Sequence, residues 1–138
     1  MAKGTGKVCL DTDIIIDYLR KTKETENLIS KLLNRFNDIT ITTITVYELL
    51  IGVEYSGGKG RNDVEEIIEA ITILSFDAKA SREAAKITAE LRKSGQQIGI
   101  ADELIAAICK ANNVCLLTMN TKHFQRIKEL DVIGLDSI

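Results

Sequence analysis

Four side chains stand out for the chemistry they can do and for where they stand. Asp11 directly follows the apolar run Val8-Cys9-Leu10. Glu48 interrupts Val46-Tyr47-Glu48-Leu49-Leu50-Ile51, which is apolar on both sides of it. Asp102 opens the segment Asp102-Glu103-Leu104-Ile105-Ala106-Ala107-Ile108, and Asn120 follows Leu116-Leu117-Thr118. Asp11 and Asn120 could serve as turn residues, and Asp102 as a favourable charge in a first helical turn. Glu48 resists such a reading. Burying an unpaired carboxylate is costly, and no Lys or Arg lies within nine residues before it or ten after it. If the four converge at one edge of a sheet, they form an oxygen-lined pocket. Two carboxylates about 5 Å apart repel by on the order of 3 kcal/mol at an effective dielectric of about 20. Three therefore do not stay ionised together without a cation. Oxygen donors point to Mg²⁺ or Mn²⁺. Beside a phosphodiester, such an ion activates a water, polarises the phosphoryl oxygen and stabilises the leaving oxygen.

Such chemistry needs no side-chain nucleophile, and the sequence supplies no obvious one. His123 is the only histidine, and there is no GxSxG or Cys–His arrangement. Neither GxxxxGK[ST] nor GxGxxG is present, so nucleotide binding is not indicated. The lone histidine also argues against a structural zinc site. Cys9, Cys109 and Cys115 all lie in apolar segments and are expected to be buried free thiols in a reducing, cytoplasmic setting.

The elements that must position these residues follow from periodicity. Lys7–Leu10 is expected as a strand, with Asp13 capping a helix over Ile14–Arg20. After a charged break at Lys21–Thr25, a second helix is expected to run to about Phe36, with Leu28, Ile29, Leu32 and Leu33 at helical spacing. Asp38–Thr42 alternates as a strand. Thr45–Glu54 and Asn62–Ala70 are expected helices flanking a glycine-rich loop over Tyr55–Arg61, and Ile71–Phe76 is the next strand. Ala78–Ser94 is the longest helix, ended by Gly95. Ala101–Asn112 is a helix, Val114–Thr118 an apolar strand, Thr121–Glu129 a short helix and Val132–Leu135 an edge strand. Alternating strands and helices with wholly apolar strand runs predict a three-layer α/β/α domain around a mainly parallel sheet. In such sheets ligands bind off the carboxyl ends of the strands, where Asp11 and Asn120 would stand.

The chain has 138 residues, which fits one domain spanning 1–138. Its net charge of −2 argues against dense coating of DNA. With no Trp and few aromatics it does not fit a base-stacking module. No apolar run reaches the roughly 18 residues of a membrane span, so no membrane partner is expected. The polar start Met1–Lys7 does not have the pattern of a secretory leader.

Four segments in order carry a family resemblance. They are Leu10-Asp11-Thr12-Asp13-Ile14-Ile15-Ile16-Asp17, Thr45-Val46-Tyr47-Glu48-Leu49-Leu50-Ile51-Gly52, Ile98-Gly99-Ile100-Ala101-Asp102-Glu103-Leu104-Ile105-Ala106-Ala107 and Leu117-Thr118-Met119-Asn120-Thr121-Lys122-His123-Phe124. Each is weak alone. Together, over nearly the whole chain, they resemble PIN-domain ribonucleases of the VapC toxin type. The resemblance implies a Mg²⁺- or Mn²⁺-dependent endoribonuclease acting on tRNA or rRNA, a cognate antitoxin whose C-terminal segment fills the acidic groove, and a homodimer. The family's acidic positions fall on Asp11, Glu48 and Asp102. Its fourth, often Asp, falls on Asn120, and Asp13 stands where related toxins usually carry Asn. The expected ligand set is therefore Asp11 and Asp102, with Glu48 binding directly or through water and a second ion held weakly. Asp13 either caps its helix, the favoured reading, or compensates for Asn120. Thr118 either packs at its strand end or hydrogen-bonds a carboxylate or phosphate. Lys79, Arg82 and Lys86, and likewise Lys122 and Arg126, form either solvated faces or RNA phosphate contacts.

Three rival readings can be told apart. A PIN-like module could bind metal or RNA without cutting it, a reading that Asn120 keeps open. A phospho-receiver-like switch would use Asp11, Asp13, Asp77, Thr118 and Lys122, but leaves Glu48 and Asp102 unused. A phosphatase of the haloacid-dehalogenase type would form a covalent aspartyl-phosphate on Asp11.

Overall fold

The apolar strand runs become the centre of one sheet. The structure is a computed structural model that describes residues 6–138, so the first five residues of the polar start lie outside it. Five strands, β1 (Lys7–Leu10), β2 (Asp38–Thr42), β3 (Thr72–Leu74), β4 (Cys115–Leu117) and β5 (Val132–Ile133), lie in the order β3-β2-β1-β4-β5. Every pairing is parallel. The register sets Val8 beside Ile39 and Leu10 beside Leu117. Among the described residues seven α-helices connect them: α1 (Thr12–Leu19), α2 (Leu28–Leu33), α3 (Thr43–Tyr55), α4 (Arg61–Ala70), α5 (Ala78–Lys93), α6 (Ile100–Asn112) and α7 (Thr121–Phe124).

Alternate strand residues point to opposite faces, and this divides the core in two. Val8, Leu10, Ile39 and Ile41 pack against Ile14, Ile15, Leu28, Leu32, Leu49, Val53 and Val64, from α1 to α4. On the other face Cys9 and Leu116 pack against Ala84, Ile87 and Leu91 of α5, Ile105 and Cys109 of α6, and Phe124 of α7. The expected three-layer α/β/α architecture is therefore present. Cys9 and Cys109 are buried free thiols and Cys115 is half-buried. No helix among the described residues is long and apolar enough to cross a membrane.

Three local expectations change. Asp13 does not cap α1. Asp11 does: its backbone is still extended and its Oδ1 accepts from the Thr12 N–H at 2.9 Å. The helix must start there because the Asp11 N–H still belongs to the sheet, donating to the Leu117 carbonyl at 2.9 Å. The second helix is confined to six residues, because Asn27 takes a left-handed conformation before it and tight turns through Arg35 end it. The last helix stops at Phe124 and continues as single turns to a left-handed Glu129.

Of the apolar residues in the early helices, Ile14, Ile15, Leu28 and Leu32 are consumed by the core, whereas Leu33 is 56% exposed. Helix α3 also shows Tyr47, Ile51 and Tyr55 to solvent.

Candidate active site

The strand order places a crevice beside β1. The chain turns from β1 into α1 on one face of the sheet and from β4 into α7 on the other. The connections after these adjacent parallel strands therefore part company, which is where α/β sheets hold ligands. Asp11 leaves β1 at this point, and Thr118-Met119-Asn120 leaves β4.

Asp11 is 5% exposed. Besides the Thr12 N–H, it accepts the Thr118 hydroxyl on Oδ2 at 2.7 Å. Thr118 thus hydrogen-bonds a carboxylate from its strand end, one of the two uses open to it in the sequence. Asp13 also turns toward β4: its Oδ2 accepts from the Met119 N–H at 3.2 Å and the Thr118 hydroxyl at 3.5 Å. Its Oδ1 is buried without a hydrogen-bond partner.

Glu48 comes from the middle of α3, whose N-terminus is fixed by Thr42 Oγ1 accepting from the Thr45 N–H at 3.1 Å. It is half-buried, and its Oε1 accepts from Thr12 Oγ1 at 2.5 Å. Thr12 therefore links the residue beside Asp11 to Glu48 and also meets the Thr45 hydroxyl at 2.9 Å.

Asp102 lies in the first turn of α6. Its Oδ2 is 3.9 Å from His123 Nδ1, and that ring nitrogen is 2.7 Å from Asn120 Nδ2. Asn120 also donates its backbone N–H to Thr118 Oγ1 at 3.0 Å. Asn120 is held in this way within its own β4–α7 segment, beside Asp102 through His123.

The electrostatics of the group are those of crowded like charges. Asp11 has its carboxyl pushed up to about 6, chiefly by burial and then by Asp13, with Glu48 adding to the effect. Asp102 is also raised to about 6, by burial first and then by Asp11 and Glu48. Burial raises Asp13 as well, against the opposing Met119 hydrogen bond. Among the described residues no Lys or Arg forms an ion pair with any of the four acids. Glu48 has a threonine hydroxyl where a purely structural role would call for a cation.

The donor set suits a hard divalent cation in kind. It offers acceptor-only carboxylate oxygens, one of them buried and unpartnered, and a charge repulsion that a cation would relieve. Among the described residues, no three Asp, Glu, His or Cys side chains form a closed ligand set. The fit is therefore one of donor chemistry and charge, and the side chains must adjust to close around an ion.

Asp11, Glu48, Asp102 and Asn120 are thus brought into one hydrogen-bonded and electrostatically coupled group. Sequence reasoning did not place Thr12 or His123 in it. The signals available were Thr12 directly beside Asp11 and His123 three residues after Asn120. Asp77, used by the receiver-like reading, follows the edge strand β3 and caps α5, accepting from the Ala80 N–H at 2.9 Å. It stands apart from the group.

Gly99 sets the start of α6 with φ +107 and ψ 144, a backbone conformation that disfavours L side chains. Gly99→Ala is expected to cost about 1–3 kcal/mol through backbone strain alone, since a Cβ there meets nothing within 4 Å. A shift of the denaturant midpoint with unchanged slope measures this.

The PIN domain family model matches residues 8–130. The chain is 31% identical over 127 residues to the tRNA(fMet)-specific endonuclease VapC of Shigella flexneri, covering 88% of this chain and 92% of that protein. It is 35% identical to ribonuclease VapC2 of Haemophilus influenzae over the same shares. Among solved structures it is similar to VapBC2 from Rickettsia felis bound to a promoter DNA fragment, with a TM-score of 0.83, 29% identity and coverage of 93% and 98% of the two chains. DNA-bound VapBC from Salmonella typhimurium gives 0.83, 28%, 95% and 99%.

Proposed function

The chain belongs to the PIN-domain family, and from that premise we propose that it is an endoribonuclease of the VapC toxin type that depends on a divalent cation. The observation that carries the reading is the grouping of Asp11, Glu48 and Asp102 at the carboxyl ends of β1 and β4, with no Lys or Arg among the described residues paired to them. The Shigella flexneri relative is named for tRNA(fMet), and tRNA or rRNA is the substrate class proposed here. Residues 1–138 act as one unit in this reading, in the cytoplasm and as a homodimer.

Asp11, Glu48 and Asp102 would hold Mg²⁺ or Mn²⁺. When bound, the cation supplies a water of lowered pKa and neutralises charge on the phosphoryl group. The protein supplies orientation. Thr118 and the Thr12 N–H fix both oxygens of Asp11, and the Thr12 hydroxyl aims Glu48. Asn120, held by His123 and Thr118, presents an amide that can orient a water or a phosphate oxygen. Asp13, with its free Oδ1, adds negative charge to the side where Asn120 contributes none.

VapBC pairs among the structural neighbours support an antitoxin as the protein partner. Such a partner would inhibit by covering the acidic crevice.

Pure protein incubated with total tRNA should yield discrete fragments with Mg²⁺ or Mn²⁺ and none with chelator. Equal cleavage in chelator would overturn the metal assignment. Intact RNA under all conditions, with divalent-dependent RNA binding, would favour the non-cleaving module.

A further inference from the structure

We propose that the cleft between the C-terminal half of α5 and the turns after α7 is the track on which substrate RNA lays its backbone next to the acidic site, with Arg126 as the positioning residue. This rests on the RNA-cleaving reading above and adds to it the direction from which the strand arrives.

The cleft has a volume of about 360 Å³, within the range of about 300–1,000 Å³ common for ligand sites. Ile87, Leu91 and Ile127 give it an apolar floor, and Lys93, Arg126 and Lys128 stand around it with Glu90 as the one acid. None of the three cations forms an ion pair among the described residues. An apolar floor under a cationic rim suits a nucleotide, with sugar and base below and phosphate above.

Arg126 is what connects the cleft to the chemistry. Its Nη1 donates to the carbonyls of Gln96 and Gln97 at 3.5 and 3.3 Å. These neutral acceptors orient the guanidinium without consuming its charge, leaving its other N–H groups for a phosphate. Gln96 and Gln97 lie on the segment that leads into α6 and Asp102. On the other wall, Arg126 follows His123, the neighbour of Asp102, by one turn, with the Arg126 N–H donating to the His123 carbonyl at 3.3 Å. The same two segments therefore form the end of the cleft and one side of the acidic crevice.

On the opposite side, the cavity beside Glu48 is charge-balanced, with Arg20 and Lys59 against Glu48 and Asp63. A larger cavity, about 690 Å³, lies between α1, α2 and α4, where Asp38, Asp63 and Glu66 outnumber Lys21. Helix α4 carries four acids against one base. On a chain of net charge −2, the cleft beside α5 and α7 is the one of these three cavities with an excess of cations, which favours it for RNA.

The test uses a fluorescent single-stranded RNA and the full chain, read by anisotropy in chelator across a salt series, and by steady-state cleavage with Mn²⁺. Lys93→Gln with Lys128→Gln should weaken binding about tenfold and lower the salt slope by about 1.4, since each phosphate contact to a single strand contributes about 0.7. Arg126→Gln should raise KM about tenfold and lower the salt slope by about 0.7 while kcat stays within about twofold, and Arg126→Lys should restore the slope. Lys31→Gln, an equal charge loss on α2, should change neither by more than about twofold. Unchanged affinity in the cleft variants, or an equal loss in Lys31→Gln, overturns the proposal even if the wild type cleaves RNA. A wild type that cleaves no RNA defeats the enzymatic reading instead, and the anisotropy series still decides whether RNA uses the cleft.

Discussion

Replacing Asp11 by Asn is expected to lower the rate of RNA cleavage at least about a thousandfold, equivalent to about 4 kcal/mol of transition-state stabilisation, without loss of the fold. The side chain keeps its shape, and its amide oxygen can still accept from the Thr12 N–H. The expected loss is that of one negative charge from the set proposed to hold a cation. In chelator the variant should melt no lower than the wild type and up to a few degrees higher, because the substitution removes a carboxyl already pushed up to about 6 by burial and by Asp13. The stabilisation that Mn²⁺ gives the wild type should vanish. Asp102→Asn should behave alike, with a smaller gain in chelator, since Asp102 is the more exposed of the two. Cleavage near the wild-type rate in both variants would remove these carboxylates from the reaction. A large drop in melting temperature in chelator would instead assign Asp11 a structural role.

The second large effect is a stability that depends on pH with opposite signs in the presence and absence of a cation. Asp11 and Asp102 both rise from 3.8 to about 6 on folding. The folded state therefore binds protons more tightly than the unfolded chain. The resulting stabilisation is fully present below about pH 4 and is lost as pH rises through about 6. For Asp11 alone the difference amounts to about 3 kcal/mol, at about 1.4 kcal/mol for each tenfold change in proton affinity. Asp102, with its side chain 31% exposed, contributes less. In chelator these two groups should lower the melting temperature between about pH 4 and pH 7. A divalent cation requires the deprotonated carboxylates, so its stabilisation should be small near pH 5 and large near pH 8, and cleavage should rise over the same interval. Differential scanning fluorimetry across pH, with chelator or with Mn²⁺, measures both. A Mn²⁺ effect of equal size at both ends would place the ion away from Asp11 and Asp102.

Much of this arrangement was readable in the sequence because it depends on local pattern. Wholly apolar runs such as Val114–Leu117 predict strands covered on both faces, and the sheet is parallel at every pairing. Asp11 and Asp102 could be singled out because each adjoins a strand or helix of clear periodicity. Asp13 shows where local rules stop. A capping residue is expected before an apolar helix, yet the partners of Asp13 are Thr118 and Met119, 105 and 106 residues away. Glu48 was legible as an anomaly but not as a placement. The sequence of its helix is nearly all apolar, whereas the structure exposes Tyr47, Ile51 and Tyr55 while the Glu48 carboxylate meets Thr12 across 36 residues. Thr12 and His123 are silent in the sequence because a lone threonine or histidine carries no periodic signal, and their contacts exist only once separate segments meet.

The pairing of β1 with β4 also determines when the enzyme can first exist during synthesis. Asp11 leaves the ribosome early, but the hydroxyl that holds its Oδ2 is supplied 107 residues later, and Leu10 finds its neighbour only when Leu117 has emerged. Contacts that close so long a loop form late and slowly. A nascent chain therefore has no assembled acidic crevice until Leu117 and Thr118 have been made and have folded back beside β1.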